Sequence, residues 1–247
     1  MSVEVPEADA ERARGLMVEL FPSGFEERQT ADGLELVAYT DYAGEERLWA
    51  TFGGARATDV EPGWEDRWRV FHRPVRVGRL WVGPPWEQPP PDAIAVVVEP
   101  GRAFGTGAHP TTRLCLELLL GERPGSVLDV GCGSGVLSIA AALLGFAPVT
   151  AVDVDPLAVE ATRANAAVNG VDVDVSLADA LVDELPAVDL ALANIAPEPV
   201  LAVGRRLGSR RAITSGYLIP DLPKLSGYAH ARRIELDGWA ADLHVRQ

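Results

Sequence analysis

The chain has 247 residues, 47% of them hydrophobic and 23% charged, enough for one large domain or two small ones with a real core. Its net charge of −14 argues against a protein whose main task is gripping a phosphate backbone, so no direct nucleic-acid binding is expected. No apolar run reaches the length of a membrane span, and Cys115 and Cys132 form neither a disulfide framework nor a metal-ligand spacing.

The N-terminus MSVEVPEADAERARG lacks a basic region followed by an apolar stretch, so no signal peptide is expected and a cytoplasmic protein is the default. Residues 1–61 then alternate in type. SVEV (2–5) reads as a strand, and EADAERARGLMVELF (7–21) as a helix with Ala13, Leu16, Met17 and Leu20 on one face. FEERQTA and LELVAYT are strands around the hairpin signal Asp32-Gly33, GEERLWATFGG is a short helix, and ARATDVE is a last strand. The order βαββαβ is the split βαβ or ferredoxin-like pattern, a small domain suited to recognition more than to chemistry. The acidity suits a basic protein partner, and it equally suits solubility alone.

Residues 62–91 read as a connector. They hold four of the six tryptophans and the stiff run Pro89-Pro90-Pro91. Trp64, Trp68 and Phe71 share one face of a short helix, which either packs against a domain or meets a partner. Residues 92–247 alternate strands (AIAVVVE, SVLDVG, PVTAVDVD, VDLALANI) with helices (HPTTRLCLELLL, GVLSIAAALLG, PLAVEATRANAAVNG), the pattern of a doubly wound, Rossmann-like α/β sheet. Ligands of such sheets sit at the carboxyl ends of the strands, near the switch in strand order.

The strand Val127–Val130 runs into Gly131, Gly133 and Gly135, a G-x-G-x-G loop whose glycines turn sharply and let a ligand reach the main chain. Asp153 ends the next strand, 22 residues after Gly131, where a carboxylate can accept both hydroxyls of a ribose. A dinucleotide fingerprint would have glycine at position 136, which is Val136. Asp129, just before the loop, is poor company for a pyrophosphate and good company for a cation. The pattern D-x-G-x-G-x-G with an acidic strand end resembles the first two motifs of class I S-adenosylmethionine-dependent methyltransferases.

That resemblance implies S-adenosylmethionine as cofactor, and it assigns Asp179 of LADAL to the adenine amino group. It also sets NIAPEP (194–199) in the place of the polar–Pro–Pro–aromatic motif of amine methyltransferases. Asp155, followed by Pro156, reads as a helix N-cap. Methyl transfer needs an amine lone pair, and a free lysine amine, with a pKa of about 10.4, is mostly protonated at neutral pH. The side-chain oxygen of Asn194 and the backbone carbonyls of Asn194 and Ile195 can accept the amine's remaining protons and aim it. The plainer reading of Asn194 is a cap or turn at the strand end.

EPGRAFGTGAHPTTR (99–113) then carries A-F-G-T-G-x-H-x-T-T ahead of the glycine loop, and with the motifs above it resembles the PrmA family, which methylates a ribosomal protein at the base of the large-subunit stalk. The likeness continues through VDVDPLAVEATRANAAVNGV, NIAPEPVL, SGYL and Trp239, over about residues 64–247. It implies a loop that covers the methionine end of the cofactor. In that loop Phe104 walls the methyl from water, Gly105 and Gly107 permit the tight path, Thr106 is a further cofactor-binding candidate, and Thr112 lies in the first turn of the next helix, where a carboxylate is welcome. His109, before Pro110, is either a helix N-cap or a proton acceptor.

The expected protein is a monomeric protein N-methyltransferase acting on lysine side chains or an N-terminal amine, with a ribosomal large-subunit protein as substrate. The short N-terminal domain and compact C-terminal region leave other protein substrates and small-molecule amines open. A nicotinamide-dependent oxidoreductase is the remote alternative.

Overall fold

The computed structural model describes residues 2–6, 9–21, 25–30, 33–38, 47–49, 51–52, 73–99 and 107–247, and the chain divides into two units, Met1–Asp66 and Arg67–Gln247. In the first, β1 (Ser2–Val5) leads through α1 (Ala10–Leu20) to β2 (Glu26–Thr30) and β3 (Gly33–Val37). The sheet order is β1-β3-β2, with β3 antiparallel to both neighbours. A strand lying between the two ends of a βαβ crossover is the split βαβ arrangement. Ala10, Ala13 and Met17, at helical spacing, bury one face of α1 against Val3, Leu34 and Leu36. Residues 47–49 and 51–52 are helical, where a short helix is expected. The strand expected over 55–61 and the aromatic face of Trp64, Trp68 and Phe71 lie outside the described residues.

The second unit opens with β4 (Val75–Val77), β5 (Leu80–Gly83) and β6 (Ile94–Val97), which form a small sheet of their own. Two expectations change here. The apolar run at 93–99 joins this sheet, parallel to β5, and not the wound sheet. Pro89–Pro91 lie in the link between β5 and β6, inside this sheet's own connection, so the described part of 62–91 shares a sheet with the start of the stretch expected to be separate from it. An apolar run fits any buried parallel strand, and its pattern does not name its neighbour.

The main sheet has the order β12-β13-β11-β10-β7-β8-β9. Its parallel part comprises β7 (Val127–Val130), β8 (Val149–Asp153), β9 (Asp174–Leu177), β10 (Leu190–Asn194) and β11 (Arg211–Leu218). α2 (Pro110–Leu120), α3 (Val136–Leu143), α4 (Pro156–Val168) and α5 (Pro197–Gly204) connect and cover it. Three of these helices start with proline at the first position, where a missing N–H costs nothing. β12 (Tyr228–Leu236) and β13 (Trp239–Arg246) form a closing hairpin, turned by Asp237 and Gly238, both at positive φ, with β13 antiparallel to β11. Between β7 and β10 the strand order reverses: the chain passes from β7 outward to β8 and β9, then returns to β10 on the other side. Among the described residues no helix is long and apolar enough to cross a membrane.

Asp242 of β13 is fully buried and accepts from Tyr217 Oη (2.8 Å), His230 Nε2 (2.7 Å) and Arg233 Nε and Nη2 (2.9 and 2.8 Å). Burial pushes its carboxyl up, but the hydrogen bonds from Arg233, Tyr217 and His230 outweigh it and hold it below the usual carboxylate range. Its contribution to stability is therefore present above the ordinary carboxylate pKa and is lost as pH falls through the lower folded value. Burial pushes His244 down to about 4, so protonation of the unfolded chain below its ordinary 6.5 also favours unfolding in acid. Asp242→Ala leaves the partly buried Arg233, still bonded to the Ile219 and Asp221 carbonyls, without its carboxylate partner and should lower the unfolding free energy at pH 7 by about 2–4 kcal/mol in urea titrations. A loss under about 1 kcal/mol would show that the network is incidental to folding.

Candidate active site

The strand switch opens a cavity of about 520 Å³ at the carboxyl ends of β7, β8 and β10. Thr112, Asp129, Gly131, Gly133, Asp153, Asp179, Asn194 and Ile195 all line it. Residues from five separate stretches of the sequence thus meet where the topology leaves a gap. Phe104, Gly105 and Thr106 lie outside the described residues.

The glycine loop forms the floor. Gly131 has φ +71°, and a Cβ there would drive into the side chain of Ile195. The N–H groups of Gly131 and Cys132 both donate to the Val152 carbonyl (2.9 and 3.2 Å), folding the loop over the end of β8. Gly135, at φ +82°, is absent from the cavity wall; it is the turn into α3, packed against Thr162. Two of the three loop glycines therefore face the cavity, and the third allows a close approach of α4.

Among the described residues, three carboxylates and no basic side chain line the cavity. Asp129 is 1% exposed, and its Oδ2 accepts from the Ser138 N–H (3.1 Å) and hydroxyl. Burial pushes its carboxyl up to about 6 against the pull of the Ser138 hydrogen bonds, and the neighbouring charge of Asp153 adds to the rise. Asp153 accepts from the N–H of Gly133 (2.9 Å) through Oδ2 and of Asp155 (3.0 Å) through Oδ1, which fixes the carboxylate at the rim. Asp179 Oδ1 accepts from the Leu181 N–H (2.8 Å). Beside it the wall is apolar: Val154 and Leu181 line the cavity yet are 66% and 43% exposed. The site fits an elongated ligand with a cationic part, hydroxyls and a flat apolar part.

Asn194 has the least satisfied group. Its Nδ2 donates to Thr112 Oγ1 (3.3 Å), while Oδ1 is buried and has no partner. A buried acceptor left unmade costs about 1–3 kcal/mol. Beside it, the Ile195 backbone stands against Gly216 of β11, at φ +103°, where a Cβ would fall inside the Ile195 carbonyl. The arrangement leaves the Asn194 side-chain oxygen as an acceptor for an N–H donor entering the cavity. His109 does not line the cavity; it caps α2, with Nδ1 accepting from the Thr111 N–H (3.4 Å) and its ring edge on Trp239 (4.9 Å between centroids). Asp155 caps α4, its Oδ1 accepting from the Leu157 N–H (2.9 Å). Ser138, Thr162 and Gly216 carry no local signal of their roles, since each acts through a partner distant in sequence. Among the described residues no group of three His, Cys, Asp or Glu could hold a metal ion.

The sequence model of the family described as ribosomal protein L11 methyltransferase (PrmA) matches residues 23–220. The ribosomal protein L11 methyltransferase of Burkholderia lata is 42% identical over 175 residues, 67% of this chain and 57% of its own length. That of Azotobacter vinelandii is 40% identical over 200 residues, 74% of this chain and 68% of its own. The chain thus matches little more than half the length of several curated relatives. The crystal structure of the ribosomal protein L11 methylase of Lactobacillus delbrueckii subsp. bulgaricus superposes with a TM-score of 0.65 at 29% identity, covering 71% of this chain and 100% of that one.

Asp129 gives this site a cost that can be measured without any ligand. Its carboxyl is raised when folded, so stability is lost as pH rises through the window from about 4 to about 6, and above it the buried charge counts in full. Asp129→Asn should raise Tm at pH 8 by about 2–4 °C, the worth of 1 kcal/mol in a chain this size, and the gain should shrink towards pH 4. A gain that is flat with pH, or a loss at pH 8, would mean the charge is not what the fold tolerates there.

Proposed function

The chain belongs to the ribosomal protein L11 methyltransferase (PrmA) family, and on that premise we propose that it is an S-adenosylmethionine-dependent protein N-methyltransferase acting on lysine side-chain or N-terminal amines of ribosomal protein L11. The observation that carries this reading is the unpartnered, buried Oδ1 of Asn194 in a cavity lined by carboxylates.

The residues fit the methyl donor by chemistry. Asp153 would accept the ribose hydroxyls, Asp179 the adenine amino group, and Val154 and Leu181 would cover the ring faces. At the methionine end Asp129 would meet the ammonium group, and Thr112, in the first turn of α2, the carboxylate beside it. Gly131 and Gly133 let the ligand lie close to the main chain. When bound, S-adenosylmethionine supplies an electrophilic methyl group on a sulfonium.

The chain's own task is to prepare the amine. The target nitrogen must arrive neutral, and exclusion from water favours that form of a lysine. Asn194 Oδ1 and the Ile195 backbone carbonyl would accept its two N–H groups and point the lone pair inward. The proton shed beforehand passes to water, so no strong base is required. His109 contributes as the cap that holds the turn carrying Thr112. A protein substrate also gives the small N-terminal unit a purpose, as the part that recognises it.

The test is transfer of labelled methyl groups from S-adenosylmethionine to purified, unmethylated L11, with wild type and Asn194→Ala side by side. Label on lysines or the N-terminus of L11 is expected. Asn194→Ala should lower turnover by about 100-fold, the scale of a misaligned nucleophile, with donor affinity changed less than about threefold. No label on L11 from a wild type that binds S-adenosylmethionine would overturn the substrate, and equal losses in turnover and affinity would move Asn194 from amine to donor.

A further inference from the structure

Three polar side chains on one face of α4 stand behind the glycine loop, and none of them lines the cavity. Thr162, Asn165 and the C-capping Asn169 stand at spacings of three and four, so they lie along one side of the helix. Thr162 and Asn165 are buried, at 0% and 4% exposure. Thr162 Oγ1 donates to the Gly133 carbonyl (2.9 Å). Asn165 Nδ2 donates to the next carbonyl, that of Ser134 (2.9 Å), while its Oδ1 accepts from the Glu99 N–H (3.1 Å). Asn169 takes both backbone groups of Val97: Oδ1 accepts from its N–H (2.8 Å) and Nδ2 donates to its carbonyl (2.6 Å).

Val97 ends β6, which among the described strands pairs only with β5 and so has one open edge. The amide of Asn169 takes the place of a neighbouring strand there. Asn165 does something different. One end of its amide grips the glycine loop and the other grips the chain leaving β6. The glycine loop needs such a grip, because three glycines at positive φ fix no conformation by their own sterics. With the Gly133 and Ser134 carbonyls pinned on α4, the Gly133 N–H is left to bond Asp153 Oδ2. The rim carboxylate is thereby tied, through two residues of loop, to Asn165.

We propose that Asn165 is a positioning residue, an amide clamp that holds the glycine loop to the Val97–Glu99 segment and so sets Gly133 and Asp153 before the methyl donor arrives. The proposal rests on the reading of the cavity as a methyl-donor site. Asn169 anchors only β6, and Asn165→Asp separates the two halves of the clamp: it keeps an acceptor for the Glu99 N–H and sets a carboxylate oxygen against the Ser134 carbonyl.

The experiment is amide hydrogen exchange on the full chain without ligand, with calorimetric titration of S-adenosylmethionine, for wild type, Asn165→Ala, Asn165→Asp and Asn169→Ala. Asn165→Ala should speed exchange in peptides covering both 97–99 and 131–135 and weaken donor binding at least tenfold. Asn165→Asp should speed only the glycine-loop peptide, with a similar loss of affinity. Asn169→Ala should speed only the 97–99 peptide and keep affinity within twofold. Unchanged glycine-loop exchange in Asn165→Ala, or equal affinity losses in Asn165→Ala and Asn169→Ala, would overturn the clamp. If wild type binds no S-adenosylmethionine, the reading of the cavity falls, and the exchange pattern alone decides whether Asn165 joins the two segments.

Discussion

The turn at Asn194–Ile195 exists because glycines on both neighbouring strands make room for it. On one side Gly131 leaves β7 where any side chain would strike that of Ile195; on the other Gly216 lies under the Ile195 carbonyl. β10 is hydrogen-bonded to β7 and β11, so its exit has nowhere else to go. The acceptor oxygen of Asn194, the floor of the cavity and the end of β11 are thus set by one steric fit. A methyl group at either glycine would shift the turn, and with it the only side-chain oxygen in the cavity wall that is buried without a partner among the described residues.

Charge completes what sterics begin. The parallel strands bring Asp129 and Asp153 to one crevice, and burial makes Asp129 resist its own ionisation. The carboxylate is kept in place by the Ser138 N–H and hydroxyl, and its position in the wall of a ligand-sized cavity supports the proposed cationic ligand. The same crevice is unsuited to a pyrophosphate, which would meet three carboxylates, Asp179 being the third, and, among the described residues, no arginine or lysine. Cys132, also in the wall, has its thiol pushed up by burial to about 12 and is inert at neutral pH.

The wound part of the fold is legible in the sequence because its signals are local. Near-continuous apolar runs mark β7, β8 and β10, and His109-Pro110 and Asp155-Pro156 mark two helix starts within a residue of where they stand. The site is legible for the same reason, since Asp129, Asp153 and Asn194 each lie at or beside the end of a strand. What is not legible depends on partners. The run that becomes β6 does not show which sheet it joins. Asp237-Gly238 repeats the hairpin signal of Asp32-Gly33, but a bulge between His230 and Arg232 breaks the two-residue alternation of β12 and hides the strand. G-x-G-x-G presents three equivalent glycines, and only their neighbours divide them, Ile195 beside Gly131 and Thr162 beside Gly135.

A calorimetric comparison of S-adenosylmethionine and NAD, with wild type and Asp153→Ala, tests the central claim most directly, that this crevice is built for a cationic methyl donor. S-adenosylmethionine should bind wild type, NAD should not, and Asp153→Ala should weaken the donor by about 1.5–3 kcal/mol, the worth of hydrogen bonds to a charged group. Binding of NAD in preference, or an Asp153→Ala variant with unchanged affinity for S-adenosylmethionine, would contradict it.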